Sequence, residues 1–136
     1  MTSTRPQHFG FTKLLVTDLE ASAAFYSTVC ELQELARVES KIGGRAIREI
    51  MYQPTAEGAG MFVLLQFVDQ AAPGGDEVIL GFQTEDVEAF VKRALAAGAS
   101  LVEPVKDMPE HGVRVGFIAD NEGHLIEVVE LLEPAA

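Results

Sequence analysis

Val16-Thr17-Asp18-Leu19-Glu20-Ala21-Ser22-Ala23-Ala24-Phe25-Tyr26 closes an apolar, β-branched run that begins at Phe9, and part of it returns 68 positions later as Asp86-Val87-Glu88-Ala89. The second copy also follows an apolar run, Val78 to Gln83. An extended apolar stretch that stops at a capping residue and gives way to helical spacing predicts a strand and then a helix. Thr17 with Glu20 three residues on reads as a capping box, and Leu19, Ala23, Tyr26, Val29 and Cys30 fall on one helical face. In the second copy Val87, Phe90, Val91, Ala94 and Leu95 make the stripe, and Gly98 supplies the residue that ends the helix.

Three extended segments follow each helix. In the first half they are about Glu34 to Glu39, Arg45 to Tyr52 and Met61 to Val68, with Gly43-Gly44 and Glu57 to Gly60 as turns. In the second half they are Ser100 to Val105, Val113 to Ile118 and His124 to Leu131. Asp120-Asn121-Glu122-Gly123 joins the last two as a hairpin, and Ala71 to Asp76 reads as a linker. The pattern predicts an α+β fold: one domain, residues 1–136, of two tandem βαβββ modules at about 8–69 and 77–132. Each module leaves one sheet face open, so two curved mixed sheets are expected to close a cup-shaped cavity, where function is to be sought.

Composition narrows the partners. The 136 residues include 10 Lys and Arg against 21 Asp and Glu, a formal net charge of -11. Nucleic acid and anionic membrane surfaces would both be repelled. The single cysteine, Cys30, permits no internal disulfide, and the polar start Met1 to Gln7 has no signal-peptide core. The apolar runs Gly60 to Leu65 and Val78 to Phe82 are far too short to cross a bilayer. The expected setting is the cytoplasm. No Gly-rich phosphate loop is present, since Gly58-Ala59-Gly60 lacks the strand-to-helix context and the remaining glycines.

The stretch Val16 to Tyr26 and the closing Asp120-Asn121-Glu122-Gly123-His124-Leu125-Ile126-Glu127-Val128-Val129 resemble the vicinal oxygen chelate superfamily. It contains glyoxalase I, bleomycin- and fosfomycin-resistance proteins and extradiol dioxygenases. The resemblance implies paired βαβββ modules around a cup, in a homodimer, and leaves the chemistry open. Metalloenzymes of this family hold a divalent ion on the first and last strands of each module. Carried over, the first-strand positions fall on Phe11 and Ile79, and the late-strand position of the first module falls on Gln66 or Leu64. Only the final carboxylate is kept, as Glu127. One carboxylate with at most one amide does not hold a catalytic metal, so neither metal nor other cofactor is expected. His8 offers a ligand only by swinging to the opposite strand face.

Strand parity then places Phe11, Lys13 and Leu15 in the cup, along with Ile79 and Gly81. A turn centred on Asn121-Glu122 sets Gly116 opposite Glu127 and Arg114 opposite Val129, with Val113, Val115, Phe117, Ile126 and Val128 toward the helices. Arg114 and Glu127 are then neighbours, either as an internal ion pair or, with Lys13, as the polar end of a ligand site whose body lies on Phe11, Leu15, Leu64 and Ile79. Gly81 and Gly116 leave room for that ligand. His124 reads as a turn residue, His111 as a loop residue at the mouth or in solvent, and Cys30 as a structural thiol.

The leading expectation is a metal-independent protein that binds a small, largely apolar organic molecule. Either Glu127 acts as acid or base in an isomerase, lyase or cyclase, or the protein sequesters a drug or metabolite without turnover. A divalent-metal lyase or dioxygenase with an atypical ligand set is the third reading.

Overall fold

The computed structural model describes residues 10–42, 44–69 and 78–133. The expected linker at 71–76, and His8, lie outside the described residues. Within them the order is β1 (Phe11–Leu15), α1 (Leu19–Val29), β2 (Glu34–Ile42), β3 (Arg45–Tyr52), β4 (Met61–Phe67), β5 (Ile79–Gln83), α2 (Val87–Ala96), β6 (Ser100–Met108), β7 (Val113–Ala119) and β8 (Leu125–Leu131). A single 3-10 turn, Pro109–His111, precedes β7. The strands form two four-stranded mixed sheets, ordered β1-β4-β3-β2 and β5-β8-β7-β6. In each sheet the first strand runs parallel to the fourth, and the remaining pairs are antiparallel. The α+β class and the doubled βαβββ order therefore hold. No helix among the described residues is long and apolar enough to cross a membrane.

Contacts group the described residues into two compact units, one of 10–19 with 32–69, the other of 20–31 with 78–133. Almost all of α1 thus clusters with the second half of the chain. Phe82 lies between Tyr26 of α1 and Phe90 of α2, with ring centroids 6.4 and 6.1 Å away. Arg93 of α2 donates from Nε and Nη2 to the Val29 carbonyl at 3.1 and 3.0 Å, filling an acceptor that the end of α1 leaves open. Beyond α1 the chain turns at Glu31 with φ 56°, in the left-handed region, where α2 is followed by Gly98. Helix α1 starts at Leu19, one residue later than a Thr17 cap would set it, so Asp18 matches Asp86, whose Oδ1 accepts from Ala89 N at 3.0 Å.

In the first unit β4 is buried on both faces: Val63, Leu64 and Leu65 are 2%, 0% and 2% exposed. Paired residues on neighbouring strands share a face. Leu64 pairs with Leu14 and Ile50, whereas Val63 pairs with Lys13 and Met51, and Leu65 with Leu15 and Glu49. The odd-numbered residues of β1, β3 and β4 therefore make one face and the even-numbered ones the other. Phe11, Lys13 and Leu15 share a face as expected. Leu64 and Gln66, expected beside them, lie on the opposite one.

The second unit departs from expectation in one register. Phe117 stands opposite Glu127, Gly116 opposite Val128, and Arg114 opposite Glu130. The cause is the turn. Asp120 Oδ1 accepts from Glu122 N and His124 N at 2.8 and 2.9 Å, Asp120 N donates to His124 O at 2.9 Å, and Gly123 takes φ 94°. This connection holds one residue more than a turn centred on Asn121-Glu122, and a one-residue slip moves every β7 side chain to the other face. Arg114, Gly116 and Ile118 join Ile126 and Val128 on the face covered by α2. A Cβ at Gly116 would meet Val105 Cγ2 at 3.0 Å and Val91 Cγ2 at 3.5 Å. Gly116 therefore permits close packing and opens no cavity. Val113, Val115 and Phe117, expected toward the helices, share the odd-numbered face with Leu125, Glu127 and Val129.

Candidate functional site

On the odd-numbered face of the first sheet, Lys13 reaches from β1 across β4 to β3, where its Nζ donates to Glu49 Oε2 at 2.5 Å. The Glu49 side chain is 10% exposed and that of Lys13 34%, so the acceptor is enclosed and the donor half open. Val63, Leu65 and Ile47 are buried around them. A carboxylate in such surroundings is costly unless paired and hydrogen-bonded, which accounts for the ion pair. Lys13 Nζ also stands 5.7 Å from the centroid of the Phe11 ring. Glu49 was missing from the sequence reading. Its signal is the alternation Ile47, Glu49, Met51, which puts a charge between two apolar residues on one strand face.

On the odd-numbered face of the second sheet Glu127 occupies the middle of the sheet, paired with Gly81 on β5 and Phe117 on β7. It is partly buried, and among the described residues it makes no hydrogen bond or ion pair. Ile79, Leu125, Val129 and Phe117 frame it, and Gly81 beside it faces open space, since a Cβ there would meet nothing within 4 Å.

Arg114 is not its partner. The guanidinium lies on the even-numbered face, donating to Asp107 Oδ1 at 2.6 Å and to Glu130 Oε2 at 3.4 Å. The hydrogen bond from Arg114 holds the Asp107 carboxyl below its usual range, and Asp107 in turn raises Arg114. Glu130 Oε1 accepts from Val87 N at 2.9 Å, at the N-terminus of α2. Gln66 does the same for α1, its Oε1 accepting from Leu19 N at 3.0 Å. Both residues satisfy the orphan donors of a helix start, which removes Gln66 from the candidate ligand set.

The turn before β8 carries a buried network. Asp120 Oδ2 accepts from Tyr26 Oη at 2.8 Å and stands 2.8 Å from His124 Nδ1. Burial pushes the Asp120 carboxyl up, but hydrogen bonds from His124, Tyr26 and the Glu122 N–H outweigh it and hold it below its ordinary value. The network ties α1 to the β7–β8 hairpin, a structural task for His124. His111 is exposed in the 3-10 turn. Burial pushes the Cys30 thiol up to about 12 despite the opposing pull of Arg93, so it stays protonated and unreactive at neutral pH. A groove of about 510 Å³ opens past Gln83 and Leu131, at the ends of β5 and β8, and none of the predicted site residues lines it.

The strand pairing also corrects one metal position. Glu127 is the third residue of β8 and pairs with the third of β5; the third residue of β4, paired with the third of β1, is Val63. The four positions that would hold a divalent ion are then Phe11, Val63, Ile79 and Glu127. Three hydrocarbon side chains offer no electron pair, so the donor set does not fit a metal. Among the described residues no group of three or more His, Cys, Asp or Glu is placed to hold one.

A model of the Glyoxalase/Bleomycin resistance protein/Dioxygenase superfamily matches residues 5–128. A glyoxalase family protein from Bacillus cereus superposes with a TM-score of 0.82 at 20% identity, covering 98% of this chain and 99% of that one. A glyoxalase-related enzyme from Fulvimarina pelagi gives 0.63 at 27% identity over 91% and 88% of the two chains. TioX from a Micromonospora species gives 0.65 at 25% identity over 93% and 100%. No curated protein matches the sequence.

Proposed function

The chain belongs to the glyoxalase/bleomycin resistance protein/dioxygenase superfamily, and from that premise we propose that it binds a small, largely apolar organic molecule against Glu127 without a metal at the family's ligand positions. The observation that carries this reading is the unpaired Glu127 carboxylate among Ile79, Leu125, Phe117 and Val129, with the open flank of Gly81 beside it. An apolar frame excludes water from a bound ligand, and a lone carboxylate within it either takes a proton from a carbon acid or hydroxyl or receives a cationic group. The first action makes an isomerase, lyase or cyclase in which Glu127 shuttles one proton. The second makes a sequestering protein, and the net charge of -11 favours it for cationic ligands. The protein is proposed to act as a homodimer in the cytoplasm.

The test begins with protein purified without chelator, assayed for metal and screened against apolar amines, phenols and acids. The expected result is no stoichiometric divalent ion, and binding that weakens about tenfold or more in Glu127→Ala, as loss of a charged hydrogen-bond partner implies. Turnover of a hit that disappears in Glu127→Gln identifies the enzyme; tight binding of cationic hits without product identifies the sequestering protein. A bound divalent ion, one per chain and lost in Glu127→Ala, would overturn the metal-free reading.

A further inference from the structure

We propose that Lys13, held in place by Glu49, is a second recognition site, which donates hydrogen bonds to the carbonyl oxygen of an uncharged, flat organic molecule lying against Phe11. An ammonium has three N–H donors. Among the described residues Glu49 alone accepts from Lys13, at 2.5 Å, which leaves two donors on a side chain 34% exposed. The stem of Lys13 runs over Val63 and Leu65, so the ammonium stands on an apolar floor rather than in bulk water. Phe11 flanks it with a ring 56% exposed, an unusual state for so large an apolar side chain on a strand.

The pairing with Glu49 selects the ligand. Glu49 neutralises the ammonium, so an anion would be drawn to Lys13 and repelled by the carboxylate just behind it. It would also lose its own hydration, at a cost of several kcal/mol for a full charge. The field of a chain with net charge -11 adds to the repulsion. A neutral carbonyl avoids both penalties and still receives a charge-assisted hydrogen bond. Phe11 then covers the flat body attached to that carbonyl by offset stacking. The corresponding positions of the second sheet, Gly81 and Val115, have neither charge, so this chemistry is confined to the first sheet. The inference stands apart from the role of Glu127.

Three probes decide it by NMR titration: 2-acetylnaphthalene, 2-naphthoate and naphthalene. The expected result is that 2-acetylnaphthalene shifts the signals of Phe11, Lys13 and Val63 and binds about tenfold more tightly than either of the others, one hydrogen bond's worth. Lys13→Met alone strands the enclosed Glu49, so the variant used is K13M/E49M, in which the preference for 2-acetylnaphthalene over naphthalene disappears. Glu127→Ala keeps that preference, which separates this site from the one proposed above. The inference is overturned if 2-naphthoate binds as tightly as the ketone, if the preference survives in K13M/E49M or vanishes in Glu127→Ala, or if no probe shifts Phe11 and Lys13.

Discussion

At the third residue of its first strand the first sheet has Lys13 and the second has Gly81; at the third residue of the fourth strand they have Val63 and Glu127; two rows of pairing further they have Glu49 and Val115. The frame is the same in both. One sheet neutralises its carboxylate with a lysine that spans the neighbouring strand, and the other leaves its carboxylate unpaired beside a glycine. At the last turn of the fourth strand the two sheets agree in task and differ in charge: Gln66 serves the start of α1 and Glu130 the start of α2. Repetition of a backbone thus conserves how helices are held while polar groups on the odd-numbered faces are free to differ.

The sharpest way to break the comparison is to remove one partner of the pair. Lys13→Met should cost about 3 kcal/mol, the penalty of a stranded enclosed carboxylate, and K13M/E49M should recover most of it. Urea unfolding of the three proteins measures the coupling; equal losses in the single and double variants would mean that the ion pair contributes nothing. The alkaline limb of stability distinguishes the second unit, whose buried titratable groups include Cys30 and Tyr26. Both are raised above their unfolded values, the first by burial to about 12, the second by burial and by Asp120. Their contribution is therefore complete below pH 9 and is lost as pH rises toward 12. Above pH 9 each contributes a slope of about 1.4 kcal/mol per pH unit, and Cys30→Ala should remove one such share.

The two glycines once grouped together separate next. Gly116→Ala should cost about 1 kcal/mol because Val105 and Val91 crowd the new methyl, while Gly81→Ala should leave thermal unfolding unchanged and weaken ligand binding instead. The smallest effect belongs to the helix ends. Glu31 takes the left-handed conformation that Gly98 takes after α2, so Glu31→Gly should raise stability by about 0.5–1 kcal/mol, read as an upward shift in Tm.

Periodicity carries the element order well, because strand and helix spacings alternate without conflict from Phe11 to Leu131. It carries register poorly. The apolar residues of β7 fall on both faces, with Val113, Val115 and Phe117 on one and Ile118 on the other, so hydrophobicity does not choose between them. The choice is made by Asp120, whose carboxylate gathers two backbone N–H groups and lengthens the turn by one residue. That single side chain moves Arg114 away from Glu127. Glu49 escaped for a related reason: a glutamate in a strand reads as solvent-facing until the lysine that requires it is placed on the same face. Glu127, Lys13 and Phe11 were legible because parity along one strand needs no partner.

The allegiance of α1 bears on how the gene is dissected. A break placed between residues 69 and 78 separates the two sequence repeats but strands residues 20–31 on the wrong polypeptide, away from Asp120, Phe82 and Arg93. Neither half-gene encodes a complete folding unit. The halves should be recovered together or not at all, which makes that boundary suited to a split reporter whose reassembly depends on one exchanged helix.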